Sequence, residues 1–167
     1  MKNTLLFDFV ADKKKNSITV KKEFDADRQL VWDCHTKSEL LDKWFAPPPF
    51  TTKTKSMDFR EGGLWLYAMV DPKGPEHWGR MEYHTITPIA HYDGLDAFCN
   101  EKGEINPNLP RAHWDVTFED QGDHSLVKTV VTYNSLSELE IVLNMGMREG
   151  LMSTLERLDD LLETYKK

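Results

Sequence analysis

Apolar and polar residues alternate along most of the chain, and a period of two is typical of β-strands that bury one face. Gly62-Gly63, Asp71–Gly74 and Glu119–Asp123 interrupt this pattern with residues that favour turns. Short, turn-rich connections without intervening helices predict an antiparallel meander rather than a parallel sheet. The predicted strands are Thr4–Val10, Ser17–Phe24 and the segments near 51–60, 64–71, 77–87, 90–99, 112–119 and 125–134.

Two short helices are predicted between the second and third strands. Asp25-Ala26-Asp27 is a suitable N-cap cluster for a first helix over residues 28–36. Ser38–Phe45 fits a second helix, with Ser38 as its cap. Pro47–Pro49 ends it, because proline has no backbone N–H to continue the helical hydrogen bonds.

The spacing of the apolar residues changes near the C-terminus, where one long helix is predicted. Two overlapping Ser-x-x-Glu capping boxes, at 135/138 and 137/140, mark its start. Apolar residues then recur every three or four positions, which predicts one buried helix face. That face comprises Met147, Leu151, Leu155, Leu158, Leu162 and Tyr165.

These elements predict one α+β domain over residues 1–167. A twisted antiparallel sheet of six or seven strands must cover its apolar face. Only the C-terminal helix is long enough to do so, at about 1.5 Å per residue. We therefore expect a curved sheet that wraps around this helix, with the two short helices closing one end.

Four segments carry a resemblance to known proteins: Val31-Trp32, Glu39–Pro47, Asp58–Trp65 and Gly146–Leu151. With them the chain resembles the helix-grip superfamily, which includes START lipid-transfer domains, polyketide cyclases and the birch-pollen allergen. Within it, the chain is similar to the family named after the C-terminal domain of the activator of the 90-kDa heat-shock-protein ATPase. The eukaryotic activator has a separate N-terminal domain that supports chaperone binding, and this chain has no room for one. The resemblance therefore implies the fold, but it does not imply the chaperone role.

Composition excludes several classes of protein. The formal net charge of −7 leaves no basic surface for nucleic acid. Cys34 and Cys99 are too few for a disulfide framework and fit a reducing compartment, so a cytoplasmic location is expected. No apolar stretch is long enough to cross a bilayer, and membrane insertion is not expected.

Large side chains recur on one face of the predicted strands, and they form the candidate site. Such residues are either a packed core or the wall of a cavity, because a curved sheet and a straight helix do not touch everywhere. Gly146 and Gly150, four residues apart, either allow close packing or leave room there. The candidate cavity-lining residues are Trp32, Phe59, Trp65, Tyr67, Met69, Met81, Tyr83, Trp114, Val116, Phe118, Tyr133, Met147 and Leu151.

Signatures of catalysis are weak. No histidine pair has the i, i+4 spacing of a helical zinc site, and no Gly-x-Ser-x-Gly elbow is present. We therefore predict no metal, no cofactor and no catalytic residue. The alternative is an acid–base site, if the strand face of Arg80, Glu82 and His84 points inward near Asp93, Asp96 and His113.

Three functions remain open at this stage. The first is non-enzymatic binding of an unidentified small apolar or amphipathic molecule between sheet and helix. The second, which rests on the resemblance alone, is stimulation of a heat-shock chaperone ATPase. The third is a cyclase- or dehydratase-like enzyme that uses the Arg80-Glu82-His84 face.

Overall fold

The computed structural model describes residues 5–166, which form eight strands and four helices. Thr4, the first residue of the first predicted strand, lies outside this range. The strands are β1 (Phe7–Asp12), β2 (Ser17–Phe24), β3 (Thr51–Met57), β4 (Leu64–Val70), β5 (Glu76–Thr87), β6 (His91–Cys99), β7 (Ala112–Asp120) and β8 (Ser125–Tyr133). The helices are α1 (Arg28–Thr36), α2 (Ser38–Leu41), α3 (Leu136–Asn144) and α4 (Met147–Glu163).

All eight strands form one antiparallel sheet in the order β1-β2-β8-β7-β6-β5-β4-β3. The expected curved sheet, the two short helices and the C-terminal helix are confirmed. The sheet has one strand more than the upper expected number, because β1 pairs along its whole length with β2, from Phe7 opposite Lys22 to Asp12 opposite Ser17. The connection through α1 and α2 crosses from β2 to the opposite edge of the sheet, so β2 neighbours β8 and β3 lies at the far edge.

The first helices begin where capping residues allow. Asp27 accepts a hydrogen bond from the backbone N–H of Leu30 at 2.9 Å, which satisfies one of the free donors at the start of α1. Helix α2 ends at Leu41, earlier than predicted, and the chain continues through hydrogen-bonded turns to Ala46. Trp44 is buried in these turns and donates its indole N–H to the Cys34 carbonyl at 2.9 Å. This bond joins the α2 region to α1.

The prediction of one uninterrupted C-terminal helix is wrong. Gly146 lies in the left-handed region, with a φ of 86°, and separates α3 from α4. Glycine adopts this conformation without the steric cost that a Cβ brings. Of the two capping boxes only the first is used at the start, where the Ser135 side chain accepts from the Glu138 N–H at 3.1 Å. The capping box and the apolar stripe therefore belong to two different helices, and Gly146 precedes the helix that carries Gly150.

The stretch Asp58–Arg60 is not part of a strand, as the period-two pattern predicted. It forms the turn between β3 and β4, where Asp58 and Arg60 make an exposed ion pair of 2.6 Å. Gly63 fits there because a Cβ would lie 1.9 Å from the Asp58 carbonyl oxygen. The turn is attached to β5 by hydrogen bonds between the Gly62-Gly63 backbone and the backbone of Tyr83.

Helix α4 is fixed to the sheet and to the proline-containing loop by polar contacts. Lys22 on β2 donates to Asp159 on α4 at 3.0 Å, with both side chains less than a tenth exposed. Arg157 on the same helix donates to the carbonyls of Ala46 and Phe50, at 2.9 and 2.6 Å. These contacts hold α4 across the inner face of the sheet.

We expect Lys22→Met to lower the free energy of unfolding by about 3 kcal/mol, because it removes the ammonium group that donates to the buried Asp159 carboxylate. Replacing both residues, as Lys22→Met with Asp159→Leu, should recover part of this loss. The control is Lys21→Met at the neighbouring exposed position, for which a change within about 0.5 kcal/mol is expected. Urea denaturation measures all three, and equal effects at positions 21 and 22 would contradict a structural role for the pair.

Candidate functional site

Two neighbouring cavities lie between the inner face of the sheet and helix α4. The smaller has a volume of about 80 Å³, and the larger, nearer to Gly146, about 360 Å³. The smaller cavity has room for only a few water molecules, whereas the larger is within the usual range for small-molecule sites. Both cavities share part of their walls: Phe45, Tyr67, Asp96, Trp114, Leu151 and Thr154.

Most of the side chains proposed from the sequence border one of these cavities. Alternate residues of β4, β5 and β7 point to the inner face, as the period-two pattern indicates. Trp65, Met81, Tyr83 and Val116 border the smaller cavity. Met69, Tyr133 and Met147 border the larger one, and Tyr67, Trp114 and Leu151 border both.

Trp32, Phe59 and Phe118 border neither cavity, and their proposed place in the wall is corrected here. The Trp32 ring packs edge-on against Phe118, with ring centres 5.0 Å apart, and against Phe59 at 5.8 Å. Tyr92 completes the group at 6.2 Å from Trp32. Helix α1 closes this end of the sheet, so the aromatic residues beneath it pack directly and leave no space. These three residues form core.

His35 lies beside this aromatic cluster and borders the smaller cavity. Its Nδ1–H donates to the Val31 carbonyl at 2.8 Å, and its ring packs edge-on against Trp44 and Phe118 at 5.0 and 5.1 Å. Burial lowers the pKa of His35 to about 4, against the opposing effect of the hydrogen bond to Val31. The imidazole is therefore neutral at physiological pH.

Asp96 is the carboxylate of the site, and it lies where the two cavities meet. One oxygen accepts the Ala112 backbone N–H at 2.7 Å, and the other accepts the Trp114 indole N–H at 2.7 Å. Burial raises the pKa of the Asp96 carboxyl, and the two hydrogen bonds oppose this rise. The side chain is thus held rigidly, and each oxygen still has a lone pair that can accept another hydrogen bond.

The sequence grouped Asp96 with Asp93 and His113. In the structure Asp96 lies on the inner face of the sheet, and Asp93 and His113 lie on the outer face. Positions 93 and 96 are an odd number apart on β6, so their side chains point to opposite sides. Counting this parity from inward-facing Tyr92 would have identified Asp96 as a cavity residue. No sequence signal marks Phe45, Pro47 or Thr154, which border the larger cavity from the loop and from α4.

Tyr67 has a position that depends on a glycine in the neighbouring strand. A Cβ at Gly79 would lie 2.7 Å from the Tyr67 hydroxyl oxygen, so only glycine allows the ring to lie over β5. The Trp65 ring stacks on Tyr67 with centres 4.1 Å apart. The result is a flat aromatic wall shared by both cavities, and burial keeps the pKa of Tyr67 above its usual value.

The larger cavity has an apolar rim at the α3–α4 junction. Met145, which is 60% exposed, and Phe98, which is 37% exposed, both border it. Gly150 on α4 faces Pro47, and a Cβ there would make only ordinary contacts at 3.9 Å. Gly150 therefore leaves room beside the cavity and is not required by close packing.

The proposed acid–base face points away from both cavities. Met81 and Tyr83 face inward, so Arg80, Glu82 and His84, which alternate with them, face outward. Glu82 there bonds to Arg80 at 3.1 Å and to Arg111 at 2.6 Å. Arg80 also donates to the Gly103 carbonyl at 2.7 Å and so holds the 100–110 loop against the outer face. This face carries structural ion pairs.

Comparison with known proteins agrees with this geometry. An antiparallel sheet that curves around a C-terminal helix is the arrangement of the helix-grip class, and this protein has that arrangement. The family model described as activator of Hsp90 ATPase homolog 1-like protein matches residues 25–163. The chain belongs to this family. A search of curated proteins found no match.

Solved structures show the same fold over almost the whole chain. A solution NMR structure of a protein from Arthrobacter aurescens is 27% identical, with a TM-score of 0.89 over 94% of this chain and 91% of that one. A crystal structure from Mycobacterium smegmatis is 28% identical, with a TM-score of 0.86 over 95% and 96%. An NMR structure from Staphylococcus epidermidis is also 28% identical, with a TM-score of 0.82 over 95% and 96%. Among residues 5–166, no helix is both long and apolar enough to span a membrane.

We expect His35 to make the protein less stable in mild acid. Its folded pKa is lowered to about 4, below the ordinary 6.5, so the unfolded chain binds this proton more readily between those values. The stability that neutral His35 contributes is fully present above pH 6.5 and is lost as the pH falls towards 4. At about 1.4 kcal/mol per pKa unit, the loss is on the order of 2–3 kcal/mol.

Urea denaturation of the natural protein and of His35→Phe, at intervals from pH 7 to pH 4, measures this effect. The variant should show a shallower loss of stability across the interval, because phenylalanine has no proton to bind. Parallel curves for the two proteins would contradict the assignment to His35.

Proposed function

We propose that the protein binds a small, mainly apolar molecule with one uncharged hydrogen-bond donor in the larger cavity beneath helix α4. The observation that carries this proposal is an apolar space of about 360 Å³ with the Asp96 carboxylate at its inner end. Apolar walls with a few well-placed polar groups are typical of small-molecule sites. The proposed action is binding, without a chemical step.

The position of Asp96 selects the polar group of the ligand. Both of its oxygens already accept N–H donors, so the group that it can add is a further donor such as a hydroxyl. A ligand carboxylate would place a second negative charge beside a half-buried one, where repulsion is weakly screened. Alcohols and phenols should therefore bind better than the corresponding acids.

The apolar part of the ligand would contact surfaces of two kinds. Tyr67 and Trp114 border the cavity with aromatic rings against which an apolar ligand can pack. Met69, Met145 and Met147 offer flexible thioether chains that adapt to different shapes. This combination supports binding of a class of related molecules rather than one rigid shape.

A second candidate function is stimulation of a chaperone ATPase, to which the family description points. Ile141 and Met145, four residues apart at the end of α3, are 45% and 60% exposed and would form a small apolar contact surface. Measuring the ATPase rate of a heat-shock chaperone with this protein in molar excess tests the idea. Stimulation that is lost in Ile141→Ser would support it, and an unchanged rate would eliminate it.

For the ligand proposal, the matched probes are 2-naphthol and 2-naphthoate at neutral pH, where only the acid is ionised. Isothermal titration calorimetry should show at least about tenfold tighter binding of the naphthol, a difference of about 1.4 kcal/mol. Asp96→Asn should narrow this ratio, since the amide can accept through only one of its two polar atoms. Asp93→Asn, on the opposite face of β6, should leave the ratio of naphthol to naphthoate affinity unchanged. Equal or tighter binding of naphthoate would refute the role of Asp96.

We expect Gly150→Leu to weaken naphthol binding by about tenfold or more, because the added side chain fills space beside Pro47. Leucine also favours the helix more than glycine does, so the fold should be kept. The control is Glu156→Leu, which adds the same side chain at an exposed position of α4. If naphthol binds equally to both variants, or does not bind the natural protein, the cavity is not the site.

A further inference from the structure

Three potential metal ligands come together on the outer face of the sheet, away from both cavities. His84 is on β5, Asp93 on β6 and His113 on β7, so each comes from a different neighbouring strand. One ligand atom from each lies within 4.8 Å of the other two. Among residues 5–166 this is the only group of three or more histidine, cysteine or acidic side chains that meets this distance.

The strand register explains the meeting. Leu95 lies opposite His113, so Asp93 is two residues along the same face from that pair. Tyr83 pairs with Gly94, and the regular register between β5 and β6 is interrupted directly afterwards, before Ile86. His84 lies at the start of this irregularity, beside Asp93. Searching the sequence for helical histidine spacings could not detect a site assembled across three strands.

The central carboxylate is already oriented. Asp93 Oδ1 accepts the Thr85 backbone N–H at 2.8 Å, which leaves Oδ2 to meet His113 Nε2 at 2.8 Å. A carboxylate held by a backbone donor is the supporting arrangement that metal sites use to fix their ligands. The His84 and His113 rings lie at 23° to each other with centres 6.4 Å apart, so both can turn towards one ion.

The adjustment needed to bind an ion is small. Zinc binds imidazole nitrogen and carboxylate oxygen at about 2.1 Å, which places tetrahedral ligand atoms about 3.4 Å from each other. His113 and Asp93 would separate slightly from their 2.8 Å hydrogen bond as the metal replaces the proton between them. The His84 side chain would move towards Asp93 and His113, and its exposure allows this movement.

We propose that His84, Asp93 and His113 bind one divalent transition-metal ion of the zinc type. Two imidazoles and one carboxylate suit this class of ion better than Mg²⁺ or Ca²⁺, which prefer oxygen ligands. Three protein ligands leave a fourth position for water or for an exogenous ligand on the exposed side. The ion would join β5, β6 and β7 where the regular pairing of β5 with β6 is interrupted. The proposal is independent of the ligand cavity.

Isothermal titration calorimetry with ZnCl₂ at pH 7.5 tests the proposal on the full chain. The natural protein should bind one equivalent with a dissociation constant in the micromolar range or below. His84→Ala and His113→Ala should each weaken binding by about tenfold or more. Both positions are at least partly exposed, so the variants should fold, and far-UV circular dichroism checks this.

The same face offers a matched control. His91 Nε2 meets Asp115 Oδ1 at 2.6 Å, and within residues 5–166 this histidine–aspartate pair has no third potential ligand at the same spacing. His91→Ala should leave zinc affinity unchanged. Absence of binding by the natural protein, or equal losses in His91→Ala and His113→Ala, would overturn the proposal. Co²⁺ provides a second readout, since the three-ligand site should give the intense visible absorption of tetrahedral cobalt and His113→Ala should abolish it.

Discussion

A sheet that curves and a helix that is straight can touch only over part of their length, and the structure depends on this constraint. Helix α4 is held at defined points, by the buried Lys22–Asp159 pair on β2 and by Arg157 on the carbonyls of Ala46 and Phe50. Beside these contacts, the space that remains beneath the helix forms the two cavities. Buried ion pairs contribute little net stability, but they fix geometry when every partner is in place.

Inward-facing aromatic residues form core at one end of the sheet and cavity wall at the other. Beneath α1 the rings of Trp32 and Phe118 are in edge-on contact and exclude space. Beneath α4 the rings of Tyr67 and Trp114 border both cavities. A half-buried carboxylate in this apolar wall is costly unless it is hydrogen-bonded, and Asp96 is bonded through both oxygens. Its position at the meeting point of the cavities is the feature that favours a specific polar contact with a ligand.

Much of the fold could be predicted because strand alternation and turn residues are local signals. The strands near Ser17–Phe24, Leu64–Val70 and Ser125–Tyr133 have almost the predicted bounds. The helix break could not be predicted, because Gly146 favours a break only when packing requires α3 to change direction. Other features could not be predicted because they depend on contacts between segments that are distant in the sequence. The 100–110 loop lies against Arg80 on the outer face, and the histidine–aspartate group requires three strands in register. The volume between sheet and helix depends on curvature, which no single segment encodes.

The central claim is that the space beneath α4 receives a ligand, and the methionines allow this to be measured directly. Met69, Met145 and Met147 border the larger cavity, whereas Met57 and Met152 border neither cavity. Two-dimensional NMR of protein labelled with ¹³C at the methionine methyl groups reports on each of them during titration with 2-naphthol. The account predicts shifts at Met69, Met145 and Met147 that saturate together, with Met57 and Met152 unchanged. Unchanged spectra, or shifts centred on Met57 or Met152, would contradict it.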